Sequence, residues 1–185
     1  MHGTCNRSGF SLIEIMVALM IVGLLAAIIS PNLVRRQPDY ERQQFLGHLN
    51  ALLRFTAQQA IITRTVHRLY FDFKNNKVIA QVKGEGKNEK GEPLFVPIKG
   101  RYLHSTLTWP KNLVVKQFSI EGTDEMARDT RPTEFWFFIV PEGLTQDVVI
   151  NMLDINKAYR DKPKQVGLVL NPFAAQFKIY ESFQK

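Results

Sequence analysis

Residues 10–30 read FSLIEIMVALMIVGLLAAIIS, an apolar run of 21 positions whose single charge is Glu14. Coiled as an α-helix at 1.5 Å per residue, such a run spans roughly 30 Å, the thickness of a bilayer hydrocarbon core. Pro31 follows directly and is the expected site of a helix kink. A cleaved secretory signal fits poorly. The stretch 15–29 already fills the upper limit of such an apolar region, and Ala26-Ala27-Ile28 makes a weak exit site. A plain single-span anchor explains the length but not the acid. A carboxylate inside the apolar segment costs about 2.5–3.5 kcal/mol unless it reaches the interface. Something should offset that cost.

The surroundings add constraints. The chain has 185 residues, 45% hydrophobic and 22% charged, enough for one ordinary domain plus an extra element. The formal net charge of +7 brings acidic partners into consideration, but Lys and Arg are spread along the chain rather than gathered in a basic arm. Cys5 stands alone, which excludes an intramolecular disulfide and a cysteine-based metal site. Residues 1–9, MHGTCNRSG, are short and polar, with Arg7 and no acid. Arg35, Arg36 and Arg42 follow the apolar run, so the distribution of positive charge does not support placing residues 1–9 on the cytoplasmic side.

Beyond the apolar run, residues 38–65 read as a second helical stretch. Phe45, Leu49, Leu52 and Leu53 recur at spacings of three and four, with Thr56, Ala60 and Ile61 continuing the stripe. Arg42, Gln43, Asn50, Arg54 and Gln58 are assigned to the opposite, solvated face, and Asp39 and Glu41 complement the helix dipole near its start. The remainder reads as β. Residues 66–74 alternate, with Leu69, Phe71 and Phe73 on one side and His67, Arg68, Tyr70, Asp72 and Lys74 elsewhere. Asn75-Asn76 is a turn, 77–83 a partner strand, and 84–93 a glycine-rich polar loop. Further strands are expected at 94–98, 101–109, 113–120, 147–153, 166–170 and 175–182, with EFWFFIV (134–140) the most buried. Trp109 and Trp136 are assigned to the core, and 121–132 to a charged connection. The expected class is α+β: a long N-terminal helix, half membrane segment and half amphipathic, packed on an antiparallel β-sheet or β-sandwich head.

The segment SGFSLIEIMVAL (8–19) resembles the class III signal of type IV prepilins and of the pseudopilins of type II secretion. The matching residues are Gly9, Phe10 and Glu14, with Pro31 where many members carry a proline. The resemblance implies cleavage by a prepilin peptidase between Gly9 and Phe10, and methylation of the new Phe10 amine. It also implies a registry role for Glu14, facing the amine of a neighbouring subunit in the filament. The order of the last strands, with Pro141-Glu142-Gly143 between them, is similar to that of H-type minor pseudopilins and FimT/FimU-like minor pilins.

The implied organisation is a leader (1–9), a membrane and filament-packing helix (10–31), an amphipathic helix (32–65) and a periplasmic head (66–185). Implied partners are prepilin peptidase, membrane lipid, other minor pseudopilins, the major pseudopilin and an inner-membrane assembly platform. The implied location is the bacterial inner membrane, crossed once, with the head in the periplasm. Two alternatives stay open: a minor pilin of a type IV pilus, and a membrane-anchored periplasmic binding protein or enzyme that never polymerises.

Neither catalysis nor a cofactor is expected. His2, His48, His67 and His104 lack metal-ligand spacing, and His48 is assigned to the surface or the stripe boundary. Glu121, Asp124, Glu125 and Asp129 lack a calcium-loop pattern and read as a solvated acidic loop, so no metal is expected. The basic stretches 83–90 and 128–131 are diluted by acids, and nucleic acid is not expected as a partner.

Overall fold

The computed structural model describes residues 11–87, 91–99, 105–127, 132–156 and 162–185, the side chains of 26–38 excepted. Two compact units are present, Met1–Tyr40 and Glu41–Lys185. One helix, α1 (Leu12–Thr63, 52 residues), supplies the first unit and begins the second. The two helical stretches read from the sequence are therefore one element, which passes through residue 31 without ending there.

In the second unit ten strands follow the helix among the described residues: β1 (His67–Asp72), β2 (Lys77–Lys87), β3 (Pro93–Pro97), β4 (Thr106–Thr108) and β5 (Leu113–Ile120). After them come β6 (Thr123–Asp124), β7 (Glu134–Ile139), β8 (Val148–Asp154), β9 (Lys164–Asn171) and β10 (Gln176–Tyr180). They form two antiparallel sheets. Sheet A has the order β3-β2-β1-β7, with β4 also beside β2, and sheet B has the order β10-β9-β8-β5-β6. The α+β class is thus observed, with the strands in two sheets.

The core lies between the helix and the inner faces of both sheets. Phe45, Leu49, Leu52, Leu53, Ala57 and Ala60 are buried along the helix, as the three-and-four spacing requires. Leu69 and Phe71 of β1, Val78 and Ala80 of β2, and Phe135, Phe137 and Ile139 of β7 face them from sheet A. Phe118, Ile150, Met152, Leu168 and Phe177 are buried in sheet B. Trp109 is buried too. Its indole donates to the Leu113 carbonyl (2.8 Å), and its ring meets Phe45 edge-on at 5.0 Å and Phe73 at 5.1 Å. Each such side chain contributes about 1.5–3 kcal/mol on burial.

Several expectations need correction. Trp136 is 41% exposed, because β7 alternates and only its odd-numbered residues face the core. EFWFFIV is accordingly buried on one face and open on the other. Ile61 is exposed, since the stripe runs out as the helix nears Thr63. His67 shares the inward parity of Leu69 and Phe71 and is buried. β1 stops at Asp72, and a four-residue turn follows, with Asn76 left-handed (φ 54°) and the Asp72 carboxylate accepting from both nitrogens of Asn75. β2 extends to Lys87, so the first four residues of the expected 84–93 loop are strand. Of the expected strand 101–109 only β4 is described, residues 100–104 lying outside the described set.

The solvated helix face is also partly wrong. Arg42 is buried and pairs with the buried Asp154 at 3.4 Å, whereas Arg54 is exposed as expected and donates to Gln176 at 2.6 Å. Asn50 reaches the backbone of Phe177. On the outer side of sheet B, the C-terminal residues lie across β8 and β9. Asn151 donates to the Gln184 carbonyl and to the Gln117 side chain, and a Cβ on Gly167 would come within 2.6 Å of the Ser182 carbonyl. This overlay explains why β8 is buried on both faces.

Candidate assembly segment

In the first unit the helix begins at Leu12, and the Ser11 carbonyl accepts from the amides of Glu14 (3.0 Å) and Ile15 (3.2 Å). Glu14 thus stands in the first turn, where a carboxylate complements the helix dipole. Every described side chain from 11 to 25 is exposed, including Leu12 (77%), Met20 (72%) and Val22 (61%). A helix apolar on all sides has no core stripe. It needs lipid or other helices around its whole circumference.

Gly9 and Phe10, the expected cleavage and methylation pair, lie outside the described residues, as does the Pro31 side chain. Among the described residues no helix is long and apolar enough to cross a membrane. The stretch 11–25 would rise only about 22 Å, whereas the apolar run in the sequence, 10–30, reaches beyond it at both ends.

Residues 4–30 match the family described as the prokaryotic N-terminal methylation motif. The N-terminal segment is thus similar to that motif. Over 79 residues the chain is 37% identical to the type IV major pilin protein PilA of Myxococcus xanthus, covering 43% of this chain and 34% of that protein. Over 52 residues it is 36% identical to the type II secretion system core protein G of Escherichia coli, covering 28% and 36%. The chain therefore spans about a third of the length of these curated relatives. The crystal structure of the minor pseudopilin EpsH from the type II secretion system of Vibrio cholerae aligns with a TM-score of 0.49 and 14% identity. That alignment covers 82% of this chain and 99% of the other.

Among the described residues there is no group of three or more His, Cys, Asp or Glu side chains that could bind a metal. The acidic run is occupied in the fold. Asp124 accepts from the Met126 amide at 3.0 Å and Glu121 from the Asp147 amide at 3.1 Å; Asp129 lies outside the described residues. His48 is exposed.

A cluster that the periodicity did not reveal covers the outer face of sheet A. The Arg68 guanidinium lies 4.2 Å from the Phe95 ring centre and 5.1 Å from that of Trp136, and its Nε donates to Gln81 at 2.6 Å. Tyr70 stacks on Trp136 at 6.4 Å. Burial, followed by the hydrogen bond and the charge of Glu134, pushes the Tyr70 hydroxyl pKa far above its ordinary value, so this phenol stays neutral.

Proposed function

We propose that the chain is a minor pseudopilin of the type II secretion system, a structural subunit near the tip of a short periplasmic filament that aids its initiation and protein export. The observation that carries this is Glu14, the one charge in the apolar run 10–30, set within a match to the N-terminal methylation motif. Similarity to core protein G of type II secretion supports the choice of machine. The Pro141-Glu142-Gly143 turn between the last strands favours the H-type among minor subunits.

In this account prepilin peptidase cuts after Gly9, and Phe10 becomes the methylated N-terminus. Residues 10–31 anchor the subunit once in the inner membrane and later pack in the filament, with a bend at Pro31. The head, 66–185, stands in the periplasm and meets other minor pseudopilins, the major pseudopilin and the assembly platform. The chemistry is assembly, not catalysis. The freed amine of one subunit and the Glu14 carboxylate of the next attract by about 4 kcal/mol at 4 Å in an effective dielectric of 20. Desolvation offsets much of that, so the pair chiefly sets register.

Glu14→Ala tests it. Filament incorporation should fall at least about tenfold, the cost of roughly 1.4 kcal/mol in an assembly equilibrium, with the head equally stable to denaturant. Unchanged incorporation would instead mark a non-polymerising anchor. A second reading, a minor pilin of a type IV pilus, is favoured by the similarity to PilA. Loss of surface pili, rather than of protein export, on deletion of the gene would select it.

A further inference from the structure

The two sheets treat their outer strands differently. In sheet B, β10 is the last strand on one side, and the Asn50 side chain meets its outward backbone groups at Phe177. In sheet A, β7 is the last strand, and among the described residues the chain turns back along its C-terminal end. There Val140 donates to the Leu144 carbonyl, Ile139 forms an isolated bridge with Thr145, and the Phe138 amide donates to Gln146 Oε1 at 2.9 Å. Gln146 supplies a carbonyl where a neighbouring strand would supply one.

That bond fixes which backbone groups point outward. Ladder groups alternate along an antiparallel strand, so if the Phe138 amide faces away from β1, the amide and carbonyl of Trp136 do too. Beside this edge lies a groove of about 330 Å³ lined by Ile120, Glu125, Pro132, Trp136, Phe138 and Gln146. Its floor is largely apolar. Its charged lining residues, Glu125 and Glu134, are both acids, on a chain whose net charge is +7.

We infer that the outer edge of β7 receives an extended segment of a partner protein, which adds to sheet A as a further strand at Trp136. Backbone hydrogen bonds would supply affinity, and alternate side chains specificity. One apolar side chain of the segment fills the groove beside Ile120 and Trp136, and a flanking Lys or Arg faces Glu125 and Glu134. Trp136, held flat by Tyr70 and Arg68, is a preorganised aromatic wall of the kind that concentrates binding energy.

The test is residue-resolved amide exchange on the full chain in detergent micelles, with the acetylated peptide KVTVKVT as probe and its backbone N-methylated twin as control. In the free chain the Trp136 amide should exchange at least about tenfold faster than the Phe137 amide, which pairs with β1. The peptide at about 1 mM should slow Trp136 exchange at least about tenfold, and the twin should not. Trp136→Pro, which removes an outward amide without touching the β1 ladder, should keep the circular dichroism spectrum and abolish peptide binding. A Trp136 amide already as slow as Phe137 in the free chain would overturn the inference. So would no slowing by the peptide, or equal slowing by both peptides.

Discussion

Asn50 and Phe177, 127 residues apart in sequence, are joined by two hydrogen bonds: Asn50 Nδ2 donates to the Phe177 carbonyl at 3.0 Å, and the Phe177 amide donates to Asn50 Oδ1 at 2.7 Å. A primary amide offers the same donor and acceptor pair as a backbone peptide. The helix thus closes the edge of β10 as a neighbouring strand would, and fixes its own rotation against sheet B. Asn50→Ala leaves two half-buried backbone groups without partners, at about 1–3 kcal/mol each. Urea unfolding followed by Trp109 fluorescence should show a loss of about 2–4 kcal/mol, against less than about 0.5 for the exposed Gln58→Ala.

Arg42 and Asp154 form a second long-range tie. The Asp154 carboxylate is fully buried and also accepts from Asn112 Nδ2 (3.0 Å) and the Asn156 amide (3.1 Å). Arg42→Ala leaves a buried anion without its cation and should cost about 3–5 kcal/mol in the same unfolding measurement. The double variant Arg42→Met with Asp154→Asn should recover most of that loss, because removing both charges also removes the desolvation cost. A single-variant loss below about 1 kcal/mol would contradict this assignment.

His67 should make stability depend on pH. Burial lowers its pKa from the ordinary 6.5, partly opposed by the bond between Nδ1 and the Thr65 carbonyl (2.9 Å). Above 6.5 the ring is neutral in both states and costs nothing. As pH falls through 6.5 the unfolded chain takes up a proton that the folded chain refuses, so stability declines until the folded ring also protonates. Denaturation midpoints should therefore fall between about pH 7 and pH 5, and His67→Gln should flatten that slope.

What could be read beforehand followed from local pattern. Phe45, Leu49, Leu52 and Leu53 announced the buried helix face, and Leu69 with Phe71 the inner face of β1. The pattern failed where it carried no polar contrast or where partners were remote. EFWFFI is apolar at every position but the first, so nothing in it marks Trp136 as outward. His67 was placed by its polarity, although its parity pointed inward. Arg42 and Asn50 looked like solvated-face residues because their partners lie 112 and 127 positions away. The open edge of β7 is a property of strand order, which no local window contains. Gly9, Phe10 and Glu14, by contrast, form a short local motif whose reading needs no tertiary context, and the roles proposed for them remain proposals.

The account rests on Phe10 becoming the N-terminus, and intact mass with N-terminal peptide mapping of the protein from its native membrane tests that directly. The expected result is a chain lacking residues 1–9 and starting at N-methylated Phe10. A chain still starting at Met1, in cells with an active prepilin peptidase, would contradict it.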